Sequence, residues 1–387
     1  MSVDRKKLII PVTAVLTFFL GFEAGGFQFV LQRVAVEFRL NSTKMGLLVA
    51  AQYVAIMIMP LLFGRISDKA GKKRILSVFI PAFILGCLLA AVSSGAATFM
   101  IGVFIIGAGY SVCECTASAS LTDSFPDQSE RYLNLTQCTF SIGAVISPLV
   151  SQWLINHSGM SWRIVFVLAG CGYLLIYPVF LLSSFTSAQT DANDATKRDF
   201  KKKILKSVIF PLLFIAMIIY CGLENGVTFF ADTLFLQKMD AGAYGAYAIA
   251  AFWLAMSVSR LTFYVIRVNP AKTVAVAFFA SFVLITALAV CKNSLPSIVI
   301  IALVGMAFGP IWPMIVGICT RAYPGMTGTV VSLLMVGGGF GGTVMPAFMG
   351  TFADITGIRA VFMMIALLAS AGGMSIVAVI KRQNYAI

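Results

Sequence analysis

The sequence predicts an all-α membrane protein of twelve transmembrane helices, arranged as two pseudo-symmetric six-helix halves. Three observations predict it. Hydrophobic residues make up 59% of the 387 positions and charged residues only 11%, where a soluble domain has roughly a quarter charged; the mean hydropathy is +0.95. The apolar residues run on continuously for the length, about 20 residues, that a spanning helix needs, without the alternation of a membrane β-barrel. Glycines and prolines also recur at a nearly constant offset along the chain.

The elements follow in order. Apolar runs place the first six helices at 8–35, 43–64, 73–93, 96–122, 132–155 and 162–185, and the second six at 207–235, 242–266, 272–291, 294–321, 327–352 and 357–380. The first run follows Arg5, Lys6 and Lys7. It is too long for a signal-peptide core and carries no small-residue cleavage motif, so it is expected to be the first span, entering from the cytoplasm. The long polar stretch Thr186–Lys206 is expected to be a cytoplasmic linker between an N-terminal half, 1–185, and a C-terminal half, 207–387. With both termini in the cytoplasm, roughly three quarters of the 28 Lys and Arg residues fall on the cytoplasmic side, as the positive-inside rule requires. The formal charge of +13 is therefore read as a topology signal and not as a nucleic-acid surface. The eight cysteines lie mostly inside apolar runs with no metal-ligand spacing, and are read as small packing residues.

The repeat is specific. Gly107 aligns with Gly305, Pro126 with Pro324, Gly143 with Gly341 and Pro148 with Pro346, all at one offset; Gly21-Phe22-Glu23-Ala24-Gly25 aligns with Gly222-Leu223-Glu224-Asn225-Gly226 at nearly the same one. Halves related in this way are expected to enclose a solute site near the membrane midplane and to work by rocking against each other.

The segment Gly64-Arg65-Ile66-Ser67-Asp68-Lys69-Ala70-Gly71-Lys72-Lys73-Arg74, read as a loop between helices 2 and 3, resembles the signature loop of the major facilitator superfamily. Gly143-Ala144-Val145-Ile146-Ser147-Pro148 resembles that superfamily's Gly-rich helix-5 motif. Tyr220-Cys221-Gly222-Leu223-Glu224, Phe252-Trp253 with Ser259-Arg260, and Gly309-Pro310-Ile311-Trp312-Pro313 are similar to the fucose–galactose–hexose proton symporter branch. The resemblance implies the major facilitator fold, proton coupling through acids on helices 1 and 4, where Glu23 and Glu114 stand, and a cytoplasmic gate. In that gate Asp68 would contact the start of helix 11, supplied here by Pro324-Gly325-Met326-Thr327. Gly64, Gly71, Arg74, Arg131 and Arg260 complete the expected gate set, with Lys72, Lys73 and Arg74 otherwise serving topology. Two departures stand out. Val103 occupies the place of the helix-4 arginine of drug/proton antiporters, and in the second half Arg260 persists without a following Asp.

Glu23, Glu114 and Glu224 lie well inside apolar runs. An ionised carboxylate there costs several kcal/mol, so such acids face a cavity or a partner. Low-dielectric surroundings bring a carboxyl's proton exchange toward neutral pH, the property a proton-coupled carrier uses. The other role open to them is locking helices together. Around them Gln28, Gln52, Tyr53, Tyr110, Gln137, Tyr220 and Asn225 offer amides and rings suited to a polyhydroxy solute, with Trp253 and Trp312 as stacking platforms. Helix–helix hydrogen bonding is their alternative role. No Lys or Arg is centred in helices 1, 4, 5, 7, 10 or 11, which favours a neutral or cationic solute over an anion. Gly337–Gly342 resembles a nucleotide loop by composition alone; without a βαβ unit it is read as close helix packing. His157, the only histidine, is read as a surface residue.

The expectation is a secondary carrier, not an enzyme, with no catalytic residues, cofactor or metal. It moves a small neutral solute, such as a sugar, with protons in the cell membrane, as a monomer among lipids and without nucleic acid. The rival expectations are an exporter of cationic or lipophilic compounds by proton exchange and a non-transporting receptor on a carrier fold.

Overall fold

The structure, a computed structural model, describes residues 8–40, 42–185, 207–239 and 243–384. The expected linker Thr186–Lys206 lies outside the described residues. Among the described residues, twelve helices are long and apolar enough to cross a membrane. The first six are α1 (Ile9–Glu37), α2 (Ser42–Ala70), α3 (Lys72–Ala91), α4 (Ala96–Ser124), α5 (Ser129–Ser158) and α6 (Ile164–Leu182). The second six are α7 (Ile209–Met239), α8 (Ala243–Val265), α9 (Pro270–Val290), α10 (two segments, Ser294–Phe308 and Ile311–Ala322), α11 (Thr327–Thr356) and α12 (Ile358–Asn384).

The chain divides into two compact units. One comprises residues 1–189 with 324–336, and the other 190–323 with 337–387, so the first part of α11 belongs to the first unit. Within the first unit α1 packs on α5 and α6, α4 on α2 and α3, and α3 on α6. Within the second, α7 packs on α8 and α12, α8 and α9 on α10, and α9 on α12. The glycines of the sequence repeat explain the correspondence. Gly143 brings α5 onto the Phe18 carbonyl of α1, and Gly341 brings α11 onto the Ile218 carbonyl of α7; a Cβ at either place would collide with backbone. Gly107 and Gly305 do the same for α4 on α2, at Gln52, and α10 on α8, at Phe252. Small residues let helix backbones approach where lipid supplies no hydrophobic drive for association. The Gly337–Gly342 run is accordingly helix, within α11.

The first unit's core is aromatic at one end. Phe99 lies edge-on to Trp162 at 5.4 Å and to Phe166 at 5.5 Å. At that end Glu37 accepts from Arg163 at 2.8 Å and from the Trp162 indole. Across the middle, the Thr17 and Thr139 hydroxyls join α1 to α5 at 2.9 Å. Elsewhere large apolar side chains face outward, Leu175 and Ile355 each 78% exposed, an arrangement suited to lipid and not to water.

Two elements differ from expectation. Helix α2 continues through Gly64 and Asp68 to Ala70, with Gly71 (φ 93°) the single residue before α3. The segment read as a loop is mostly helix, because hydropathy marks where lipid ends and not where backbone hydrogen bonding ends. The tenth span is broken at Gly309-Pro310. Pro310 and Pro313 have no N–H to offer the carbonyls of Met306 and Gly309, so the α-helical ladder cannot run through.

Candidate functional site

Four of the expected residues form two buried carboxyl–amide pairs in the first unit. Glu23 of α1 is fully buried and Gln52 of α2 nearly so. The Gln52 Nε2 lies 3.1 Å from each carboxylate oxygen. Glu114 of α4 is 5% exposed and accepts from Gln137 Nε2 of α5 at 3.0 Å. Among the described residues no Lys or Arg forms an ion pair with Glu23. An amide partner has a chemical consequence. It donates to a carboxylate, and through its oxygen it accepts from a carboxylic acid, so the pair stays hydrogen-bonded in either protonation state. Tyr110 is half-buried, edge-on to Phe140 at 6.4 Å. Tyr53 is half-buried, and Gln28 is exposed.

The second unit holds a different arrangement. Glu224 is half-buried and hydrogen-bonded to the Tyr220 hydroxyl one turn away. Tyr220 in turn accepts from Arg260 of α8 at 3.3 Å. Arg260, 2% exposed, also donates through Nε to the Gly309 carbonyl at 3.1 Å, the acceptor that Pro313 leaves without its helical donor. Its position near the end of α8 gave no hint of this burial. The Asn225 amide donates to the Cys221 carbonyl of its own helix at 2.9 Å. Trp253 is half-buried against Phe252, and Trp312 is 7% exposed in the second segment of α10.

A third cluster, within the first unit, gathers the expected gate residues. Asp68 accepts from the backbone N–H groups of Gly328 at 2.9 Å and Thr329 at 2.8 Å, and from the Thr329 hydroxyl at 2.7 Å. These N–H groups open α11, where the helix dipole favours an anion. The approach is close, since a Cβ on Gly64 would meet Ser332. Arg74 is exposed and Arg131 half-buried. Two members were missed. Lys72, read as a topology residue, is 2% exposed and ion-paired with both Asp68, at 3.4 Å, and Asp123. Asp123 further accepts from the Thr327 hydroxyl at 2.8 Å. A signal for Asp123 was present: an acid in the last turn of α4 opposes that helix's dipole and calls for a cation. His157 is exposed, stacked on Trp153.

Among the described residues, twelve apolar helices in two internally similar sets, with acids sunk among them and an acid seated on the start of α11, mark a multi-pass membrane protein. The chain belongs to the major facilitator superfamily, whose family model matches residues 13–333. In fold it is similar to the fucose:proton symporter FucP of E. coli, at a TM-score of 0.83 and 19% identity over 96% of this chain and 98% of that one. In sequence it is similar to the glucose transporter GlcP of Staphylococcus epidermidis, 25% identical over 51% of this chain and 45% of that protein. It is also similar to the multidrug resistance protein MdtL of Vibrio parahaemolyticus, 25% identical over 57% of each. The matched stretches span about half the length of these curated relatives.

Proposed function

We propose that the chain is a secondary transporter that moves a small neutral solute, a sugar being the leading class, together with protons by alternating access across the cell membrane. Its termini lie in the cytoplasm and the monomer is the working unit. Glu23 and Glu114 exchange the coupling proton; Glu224 assists from the second unit. Gln28, Gln52, Tyr53, Tyr110, Gln137, Tyr220, Asn225, Trp253 and Trp312 contribute to solute binding. Asp68, with Gly64, Gly71, Arg74, Arg131 and Arg260, governs the cytoplasmic gate.

The observation that carries this reading is the Glu23–Gln52 pair: an acid with no exposure, held by an amide that serves both protonation states. A purely structural lock would be met by two neutral side chains, without the several kcal/mol that an intramembrane acid costs. The family of the chain and its fold likeness to a fucose:proton symporter support the solute class. The second reading, proton-driven export of cationic or lipophilic compounds, is favoured by the same acids and by the relationship to a multidrug resistance protein.

Proteoliposomes with an imposed pH gradient separate the two. Accumulation of one of a panel of sugars when the interior is alkaline supports the symporter. Gradient-driven extrusion of lipophilic cations with no sugar flux supports the exporter. No flux of any solute overturns both in favour of a receptor.

A further inference from the structure

The second unit carries an apolar groove of about 410 Å³ on its outer face, lined by α8 (Ser259, Thr262, Phe263), α9 (Thr273 to Leu284) and α10 (Leu303, Met306, Pro310). Val276, Leu303 and Met306 are 67%, 43% and 43% exposed, so the groove opens away from the unit's core. From Thr273 to Leu284 it follows α9 for about 16 Å, at 1.5 Å per residue. It is therefore long and narrow, and no acid lines it. Its lining reaches Pro310, at the break in α10.

Basic residues flank one end of the groove along the chain. Thr273 is adjacent to Lys272, and the short connection from α8 to α9 carries Arg267; both basic residues are exposed, and neither forms an ion pair among the described residues. No Asp or Glu occurs in the sequence between Asp240 and Asp354, so this connection has no acidic neighbour along the chain. The Asn269 side chain accepts from the Lys272 N–H at 3.0 Å and fixes the start of α9 beneath Pro270. Lys272 is thereby held on the first turn of the helix that walls the groove.

We propose that this groove is a binding site for an anionic phospholipid, one acyl chain lying along α9 against Val276, Ala280 and Leu284 and the phosphate meeting Arg267 and Lys272. An acyl chain is the apolar partner that the membrane itself supplies, and basic residues at the mouth of an intramembrane groove select anionic headgroups. Occupancy places a lipid chain against Pro310, next to the Gly309 whose carbonyl Arg260 holds. The site is independent of the transported solute.

The test is native mass spectrometry of the full chain, purified in detergent and titrated with phosphatidylglycerol or phosphatidylcholine of identical chains. Wild type is expected to retain phosphatidylglycerol in preference, and the Arg267→Gln and Lys272→Gln double substitution to lose about fivefold of that preference per charge removed. Ala280→Trp, which fills the groove from its half-exposed wall, is expected to lower retention of both lipids. The basic-residue variant sits on an exposed connection and keeps the test valid if the tryptophan variant does not fold. Equal retention of the two lipids by wild type, or an unchanged preference in the basic-residue variant, overturns the proposal.

Discussion

The two units use the same backbone contacts and different polar chemistry. Gly107 and Gly305, and Gly143 and Gly341, each seat one helix on the backbone of another in matching places. At the equivalent positions Glu23 and Glu224 the likeness ends. Glu23 is fully buried against an amide from a neighbouring helix. Glu224 is half-buried and meets Tyr220 of its own helix, backed by the buried guanidinium of Arg260. The first unit also joins Asp68, Lys72 and Asp123 in one buried cluster, while in the second the buried Arg260 donates to the carbonyl at a helix break. A repeated fold thus constrains where helices touch, and leaves free which half handles charge.

The largest effect that would break this comparison is expected at Asp123. Asp123→Ala removes the Asp123 carboxylate from the buried Lys72, and removing one partner of a buried pair costs about 3 kcal/mol or more. Thermal unfolding in detergent should fall well below wild type, and an unchanged midpoint would mean that the cluster holds nothing together. Next come the glycines. Gly143→Ala and Gly341→Ala each force a Cβ into backbone, at a cost of about 1–3 kcal/mol. Similar losses at both positions sharpen the likeness of the units, whereas a loss at only one breaks it.

A smaller effect is expected from Tyr220→Phe, which removes an acceptor of the Arg260 guanidinium, about 1.5 kcal/mol for a hydrogen bond to a charged group. An unchanged unfolding midpoint for Tyr220→Phe would mean that this bond to Arg260 stabilises nothing. The smallest concerns Glu37, beyond the first span (Ile9–Leu31). The Arg163 hydrogen bond, then that of the Trp162 indole, holds its carboxyl below the usual carboxylate range. A lowered native pKa means that the stabilisation is full above the ordinary carboxylate pKa and is lost as pH falls through the lowered one. The side chain is 41% exposed, so the gain is under about 1 kcal/mol. Glu37→Gln should unfold slightly earlier than wild type at pH 7 and alongside it in strong acid; a difference that persists in acid would contradict the ion pair's role.

Much of this was legible in the sequence. Spans came from apolar run length, and the correspondence of Gly107 with Gly305 and of Gly143 with Gly341 from one recurring offset; that each seats a helix on another's backbone came from the structure. Glu23 and Glu114 were legible because acids are costly in lipid. Their pairing with Gln52 and Gln137 was narrowed to nearby polar residues, since partner choice depends on helix rotation. Lys72 and Asp123 were not joined, lying 51 residues apart on helices whose facing surfaces hydropathy does not set. The extension of α2 to Ala70 escaped because a helix outlasts the membrane. The break in α10 was written in Gly309-Pro310 and Pro313, but the buried donor that makes it tolerable, Arg260, is visible only in three dimensions.

We propose that the fully buried Glu23 carboxyl carries the coupling proton. Glu23→Gln keeps a hydrogen-bonding side chain beside Gln52 and removes the titration. In proteoliposomes this variant is expected to exchange labelled solute across the membrane while failing to accumulate it under an inside-alkaline gradient. Accumulation at the wild-type level would remove Glu23 from the coupling mechanism.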